Sequence, residues 1–328
     1  MSVLDFRVSS QNKELQMKRI YHVETTRFPV GKYPKADAQL NAKNGKLFVA
    51  VGSSTELHTA TFHLIGKKAI DIKRYHYNDS IIDVSVCSSK DYFYFIVSLS
   101  NSTCFIMQPD GRINLIKQKG LTKALIYKNS TKNNQMYVAL GTSSGGVILI
   151  YPILGEEPYA TISKKAPVTS LRSSNDGSKI IAGFSNGNVS VLDGDSLEEL
   201  WSRTFPFGSI IDAVTCPIDN YITFSAQDDN VYIYSTKDDQ KLKIEGHTSF
   251  VISIDPEKKS KNNEFMLSSS GLDGRFGLWR AKISDQNISQ EKLHLSNIIS
   301  TPIRFERFYH NILLTINDKG SISVYIAH

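Results

Sequence analysis

Apolar and β-branched residues gather along this chain in short runs, among them 81–86, 92–98, 136–140, 147–151, 180–184 and 221–225. Asn, Asp, Gly and Lys fill the gaps. That length and punctuation belong to β-strands. Asn44-Gly45, Asp110-Gly111, Asp176-Gly177 and Asn186-Gly187 fit tight reversals between antiparallel neighbours. Glycine accepts a positive φ there, and Asn or Asp bonds the turn backbone. Residues 282–296 come nearest to a helical stripe, but they read as a loop and an outer strand.

The runs repeat. A polar turn just before the last apolar run of each unit falls at Thr55, Asn101, Ser144, Asn186, Asp228, Asp273 and Asp318. The step between them is about 42 to 46 residues, close to the period of a four-stranded propeller blade. The spacing predicts units at 36–78, 79–119, 120–164, 165–204, 205–244, 245–297 and 298–328. The last has three runs and then the chain stops. An orphan run at 17–24 supplies the missing strand, so the prediction is an all-β, seven-bladed ring of four-stranded antiparallel blades. The N-terminal strand completes the C-terminal blade and removes exposed sheet edges.

The best-formed unit is 245–280, with runs at 250–254, 264–270 and 275–279. Gly246-His247 opens it, Asp273-Gly274 turns its second hairpin, and Leu278-Trp279 closes it. These residues resemble a repeat of the WD-repeat β-propeller family, although Arg280 stands where the family has its final Asp. The resemblance implies that His247, Asp273, Trp279 and either Ser268 or Ser269 form a buried, blade-locking hydrogen-bonded set. Those residues are then structural, not catalytic.

Composition narrows the functions. The 328 residues are 41% hydrophobic and 21% charged, as in a folded globular protein. No apolar run is long enough to cross a membrane, and the first residues lack the pattern of a secretory signal, so the expectation is an intracellular protein, cytoplasmic or nuclear. Cys87, Cys104 and Cys216 are odd in number and widely spaced, which fits buried reduced thiols. A net charge of +6 permits an acidic partner without demanding one.

Motifs for chemistry are absent. No HExxH, CxxC, GxSxG or GxxxxGK[ST] string occurs, so no catalytic residue, metal or cofactor is expected. His58 and His63 lie an odd number of positions apart on one strand and face opposite sides, a poor metal pair. GTSSGG at 141–146 leads into a strand, not the helix N-terminus that a phosphate loop needs. Gly274-Arg275-Phe276-Gly277 departs from the paired-arginine motif of phosphoinositide-binding propellers. No dense basic stripe is interleaved with the aromatics, so nucleic-acid contact is expected to be indirect.

The expected function is therefore a non-enzymatic protein–protein interaction scaffold, a subunit of a larger complex. The alternative is a component of an RNA- or chromatin-associated assembly that touches nucleic acid directly. A propeller enzyme ranks third. By the resemblance, residues before the first strand and before the turn Asp face the partner-binding end: Phe250 and Leu272, with Gln227, Ser185 and Phe207 in neighbouring blades. Exposed Phe207 and Phe250, side by side, would make an aromatic anchor; the alternative is that both are core. The insertion at 258–263 offers Lys258, Lys259 and Lys261 as a second candidate, or as a solvated loop.

Overall fold

The computed structural model describes residues 17–23, 34–41, 45–63, 68–89, 92–151, 158–258, 260–284, 287–297, 301–309, 312–319 and 321–327. The chain begins with β1 (Met17–Val23). Blade 1 is β2 (Lys35–Asn41), β3 (Lys46–Ser53), β4 (Glu56–His63) and β5 (Lys68–His76). Blade 2 is β6 (Ile81–Ser89), β7 (Tyr92–Leu99), β8 (Thr103–Met107) and β9 (Ile113–Lys117). Blade 3 is β10 (Leu121–Asn129), β11 (Gln135–Thr142), β12 (Gly146–Ile150) and β13 (Pro158–Ser163). Blade 4 is β14 (Val168–Ser173), β15 (Lys179–Phe184), β16 (Asn188–Asp193) and β17 (Glu199–Thr204). Blade 5 is β18 (Ile210–Thr215), β19 (Tyr221–Ala226), β20 (Val231–Ser235) and β21 (Lys241–Ile244). Blade 6 is β22 (Val251–Pro256), β23 (Glu264–Gly271), β24 (Phe276–Ile283) and β25 (Ile288–Leu295). Blade 7 is β26 (Ile303–Tyr309), β27 (Ile312–Asn317) and β28 (Ile322–Ala327), joined by β1 in the order β1-β28-β27-β26. Every pairing is antiparallel, and β1 runs against β28 from Met17↔Ala327 to Val23↔Ile322. The molecule is a seven-bladed β-propeller.

Each polar turn that marked the repeat connects the second and third strands of its blade. The end of the ring carrying these turns is called upper here. The described residues of 282–296 hold the end of β24 and β25, with no helix among them.

The ring has no single centre of hydrophobic burial. Among the described residues, seven apolar clusters form, each spanning two neighbouring blades. Middle strands are sandwiched on both faces, which is why β11, β12 and β15 are apolar nearly throughout. Outer strands meet solvent on one side. Accordingly β13 and β21 alternate exposed and covered positions. Blades that share every core wedge with a neighbour cannot fold singly.

Candidate functional site

First strands from all seven blades line a central channel with a cavity of about 700 Å³. Their inner edges have no neighbouring strand, which leaves backbone groups that need partners. Side chains of the adjacent blade supply them. Asp37 Oδ2 accepts from Val86 N at 2.7 Å, Asp83 Oδ2 from Ala124 N at 3.0 Å, and Ser170 Oγ from Ala213 N at 3.1 Å. Asp212 Oδ2 accepts from Ile254 N at 3.2 Å, and Asp255 Oδ2 from Phe308 N at 2.8 Å. Two hydroxyls donate across the remaining junctions: Thr122 to Val168 O at 2.8 Å, and Tyr309 to Ala38 O at 2.6 Å. Every junction of the ring is thus bridged.

A register shift near the start of the first strand recurs in blades 2 to 7, beside Ile82, Thr122, Thr169, Ile211, Ile252 and Arg304. Such bulges re-aim side chains. Four of these residues, Thr169, Ile211, Ile252 and Arg304, line the channel.

Lower down, two arginines knit the carboxylates together. Arg172 reaches Asp212 Oδ2 at 3.1 Å and Asp255 Oδ1 at 2.7 Å, and Arg307 reaches Asp37 Oδ1 at 2.9 Å. Burial opposes the charge on Arg307, but the Asp37 and Asp255 carboxylates outweigh it and raise its pKa. Sequence reasoning missed this network. Its trace is a short recurrence, Ile-Ile-Asp-Val at 81–84 and Ile-Ile-Asp-Ala at 210–213, which places a carboxylate inside an otherwise apolar strand.

The signature residues of blade 6 come together. A ring nitrogen that faces a carboxylate carries a proton. His247 Nδ1 thus donates to Asp273, 3.1 and 3.0 Å from its two oxygens, while Nε2 is hydrogen-bonded to Ser269 Oγ at 2.9 Å. Trp279 Nε1 donates to the same Ser269 hydroxyl at 2.9 Å. Asp273 also accepts from Thr248 N and Arg275 N, each at 3.0 Å. Burial pushes the Asp273 carboxyl up, yet these donors together hold its pKa below the ordinary value. The serine is Ser269; Ser268 corrects the expectation by donating to Asp255 O at 3.2 Å instead. Successive strand residues face opposite sides, so only one of the pair can reach the histidine. Gly277 makes room for the indole, since a Cβ there would come within 2.8 Å of Trp279 Nε1. Arg280 is answered by Glu291 on β25 at 2.7 Å.

At the upper end, Phe250 is 39% exposed, and Leu272 N donates to its carbonyl at 2.9 Å. Leu272 and Ser185 are half-buried, and Gln227 is exposed, with its Oε1 accepting from Ser209 N at 3.2 Å. Phe207 departs from expectation. It is half-buried and turned onto its own blade, stacked on Tyr232 at 4.3 Å with Lys241 Nζ 5.2 Å from its ring. Among the described residues no ring contact joins it to Phe250. The aromatic pair is not formed, because Tyr232 offers Phe207 a closer apolar surface than the rim does.

The lysine insertion divides. Lys261 is exposed and bridges to Glu264 around Asn262-Asn263, both at positive φ, a tight turn of its own. Lys259 lies outside the described residues. Lys258 lines the channel, with its Nζ 5.3 Å from the Tyr309 ring. The side chain still meets solvent within the channel, although protein surrounds it. That crowding lowers its pKa, Asp255 opposes the shift, and Arg307 adds to it. Cys87 lines the channel as well, and burial pushes its thiol up to about 12, which keeps it a protonated, poor nucleophile. Cys104 and Cys216 are also buried free thiols, each pushed up to about 12.

No family model matches the chain, and no curated protein matches it in sequence. Among solved structures it is similar to a chain described as "Crystal Structure of Mitotic Checkpoint Complex". The two are 13% identical with a TM-score of 0.73, covering 99% of this chain and 100% of that one. Identity that low speaks for the fold alone.

Proposed function

We propose that this protein is a non-enzymatic scaffold of the WD-repeat type, an intracellular subunit of a multi-protein complex that docks partners on its upper end. The observation that carries the reading is Phe250, a large apolar side chain 39% exposed on a loop whose backbone is pinned by the Leu272 bond. An aromatic held in place before docking loses little freedom on binding, and such residues dominate interface energies.

Affinity capture with the wild-type chain and with Phe250→Glu tests it. The expected result is that co-purifying proteins are lost from the variant while its thermal midpoint holds. An unchanged set of partners at unchanged stability would sink the upper end as the docking surface. The net charge of +6 favours one other reading, direct nucleic-acid contact within an assembly. Salt-sensitive retention of the isolated chain on nucleic acid supports that reading, and failure to bind at low salt removes it.

A further inference from the structure

The charges of the channel do not balance. Four carboxylates line it, Asp37, Asp83, Asp212 and Asp255, and each is already committed. Arg307 answers Asp37, Arg172 answers both Asp212 and Asp255, and Lys123 lies 3.5 Å from Asp83. Their remaining acceptor capacity is turned to backbone N–H groups of the next blade. Lys128 and Lys258 also line the channel, and among the described residues neither forms an ion pair.

Both lysines stand at the lower ends of their first strands. Lys128 sits near the end of β10 in blade 3, and Lys258 follows β22 in blade 6. Both lie near enough to the Cys87 thiol of blade 2 to favour its ionised form. Asn175 Nδ2, from the lower turn of blade 4, donates to Lys258 O at 3.2 Å and so ties the inserted loop across the opening. The result is a narrowed mouth, two unanswered ammonium groups, and the Arg307 guanidinium behind them. We propose that the lower mouth binds a small ligand carrying two or more phosphate groups, with Lys128 and Lys258 as its direct contacts.

Phosphate fits the geometry. Lysine is a point charge that suits a compact oxyanion, and linked phosphates place several acceptors in a small cross-section. A cavity of about 700 Å³ lies in the range that encloses small molecules, while the tethered loop shuts out a folded domain. The bonds at all seven junctions make the walls rigid, so little ordering is lost on binding.

Titration calorimetry of the full chain with tripolyphosphate, ATP and inositol hexakisphosphate, at low and at moderate salt, tests the proposal. The expected result is one ligand per chain, bound more weakly at higher salt. Lys128→Ala and Lys258→Ala should each weaken it by about tenfold or more, and Lys35→Ala, at the upper end of β2, by no more than about twofold. Binding of tripolyphosphate as tightly as the other two assigns recognition to the phosphate chain itself. A preference for ATP or for the inositol compound assigns it to a nucleoside or a ring scaffold.

No binding of any of the three overturns the proposal. So does binding that survives the Lys128→Ala/Lys258→Ala double variant, or that falls equally in Lys35→Ala. Should the double variant lose its thermal transition, Lys128→Gln and Lys258→Gln decide in its place. Phe250→Glu is expected to leave the titration unchanged, which keeps this site separate from docking at the upper end.

Discussion

Blades 5 and 6 stand side by side with the same four strands, yet different chemistry holds each together. Blade 6 is locked by polar groups: Asp273, His247, Ser269 and Trp279 form a chain of hydrogen bonds buried from solvent. Blade 5 has no such chain. Phe224 is fully buried on β19, with Phe205 at 4.5 Å and Tyr232 at 5.2 Å, and Phe207 covers Tyr232 from outside. Asp228 holds the turn position of Asp273, but among the described residues its carboxylate takes only the Tyr232 hydroxyl, and its Oδ1 has no partner there. One architecture tolerates both solutions because the wedge between blades must be filled and its polar groups satisfied. Which side chains do the filling is free.

The largest test removes the ring that fills each wedge. Trp279→Ala and Phe224→Ala are both expected to cost about 3–5 kcal/mol in chemical denaturation, with Trp279 the larger because Ser269 loses a hydrogen-bond donor as well. A loss below about 1 kcal/mol for Trp279→Ala would show that the polar chain is incidental to blade 6.

Next come the turn acids, where the blades should diverge. Asp273→Asn, which disturbs the bonds from three donors, is expected to cost about 1–3 kcal/mol. Asp228→Asn is expected to cost under about 1 kcal/mol, since one bond is at stake. Equal losses would erase the distinction.

Acidification sharpens the same contrast. The Asp273 carboxyl has a lowered pKa in the folded protein, so its contribution is present at neutral pH and fades as the pH drops below about 4. The stability gap between wild type and Asp273→Asn, measured by denaturant titration, should shrink over that range. The gap for Asp228→Asn is expected to stay small throughout.

The smallest effect lies at the far side of blade 6, against blade 7. Glu306 is fully buried on β26, where the nearby Ser268 hydroxyl donates to Asp255 O and leaves the carboxyl oxygens without a hydrogen bond among the described residues. Burial, then the nearby Asp255, raise its pKa well above the ordinary carboxylate value. A raised acid favours folding at low pH and loses that contribution as pH climbs from the unfolded value toward the folded one. Glu306→Gln is therefore expected to be close to wild type near pH 5 and to be the more stable at pH 8. A variant less stable than wild type at both values would mean that the carboxyl serves a contact not seen here.

Blade number and the succession of short antiparallel strands were legible in the sequence because both follow from local rules. Turn residues must allow positive φ or bond their own backbone, and they recur wherever the chain reverses. The lock of blade 6 was legible down to one ambiguity, Ser268 against Ser269, which strand facing decides and composition cannot. Phe207 was misplaced because exposure depends on what stands opposite, and the Tyr232 ring is brought there by another strand of the blade.

By itself, then, the sequence determined the period, the antiparallel hairpins and the chemistry of its best-formed blade, since these depend on residues within one unit. Only the tertiary structure decided the inner ring. Asp37 meets Arg307, and Asp255 meets Arg172, across most of the chain or several blades of it. Which lysines are left without a carboxylate is a property of that closed circle. Charge pairing across the channel is set by proximity in space, and no window of the chain is long enough to contain it.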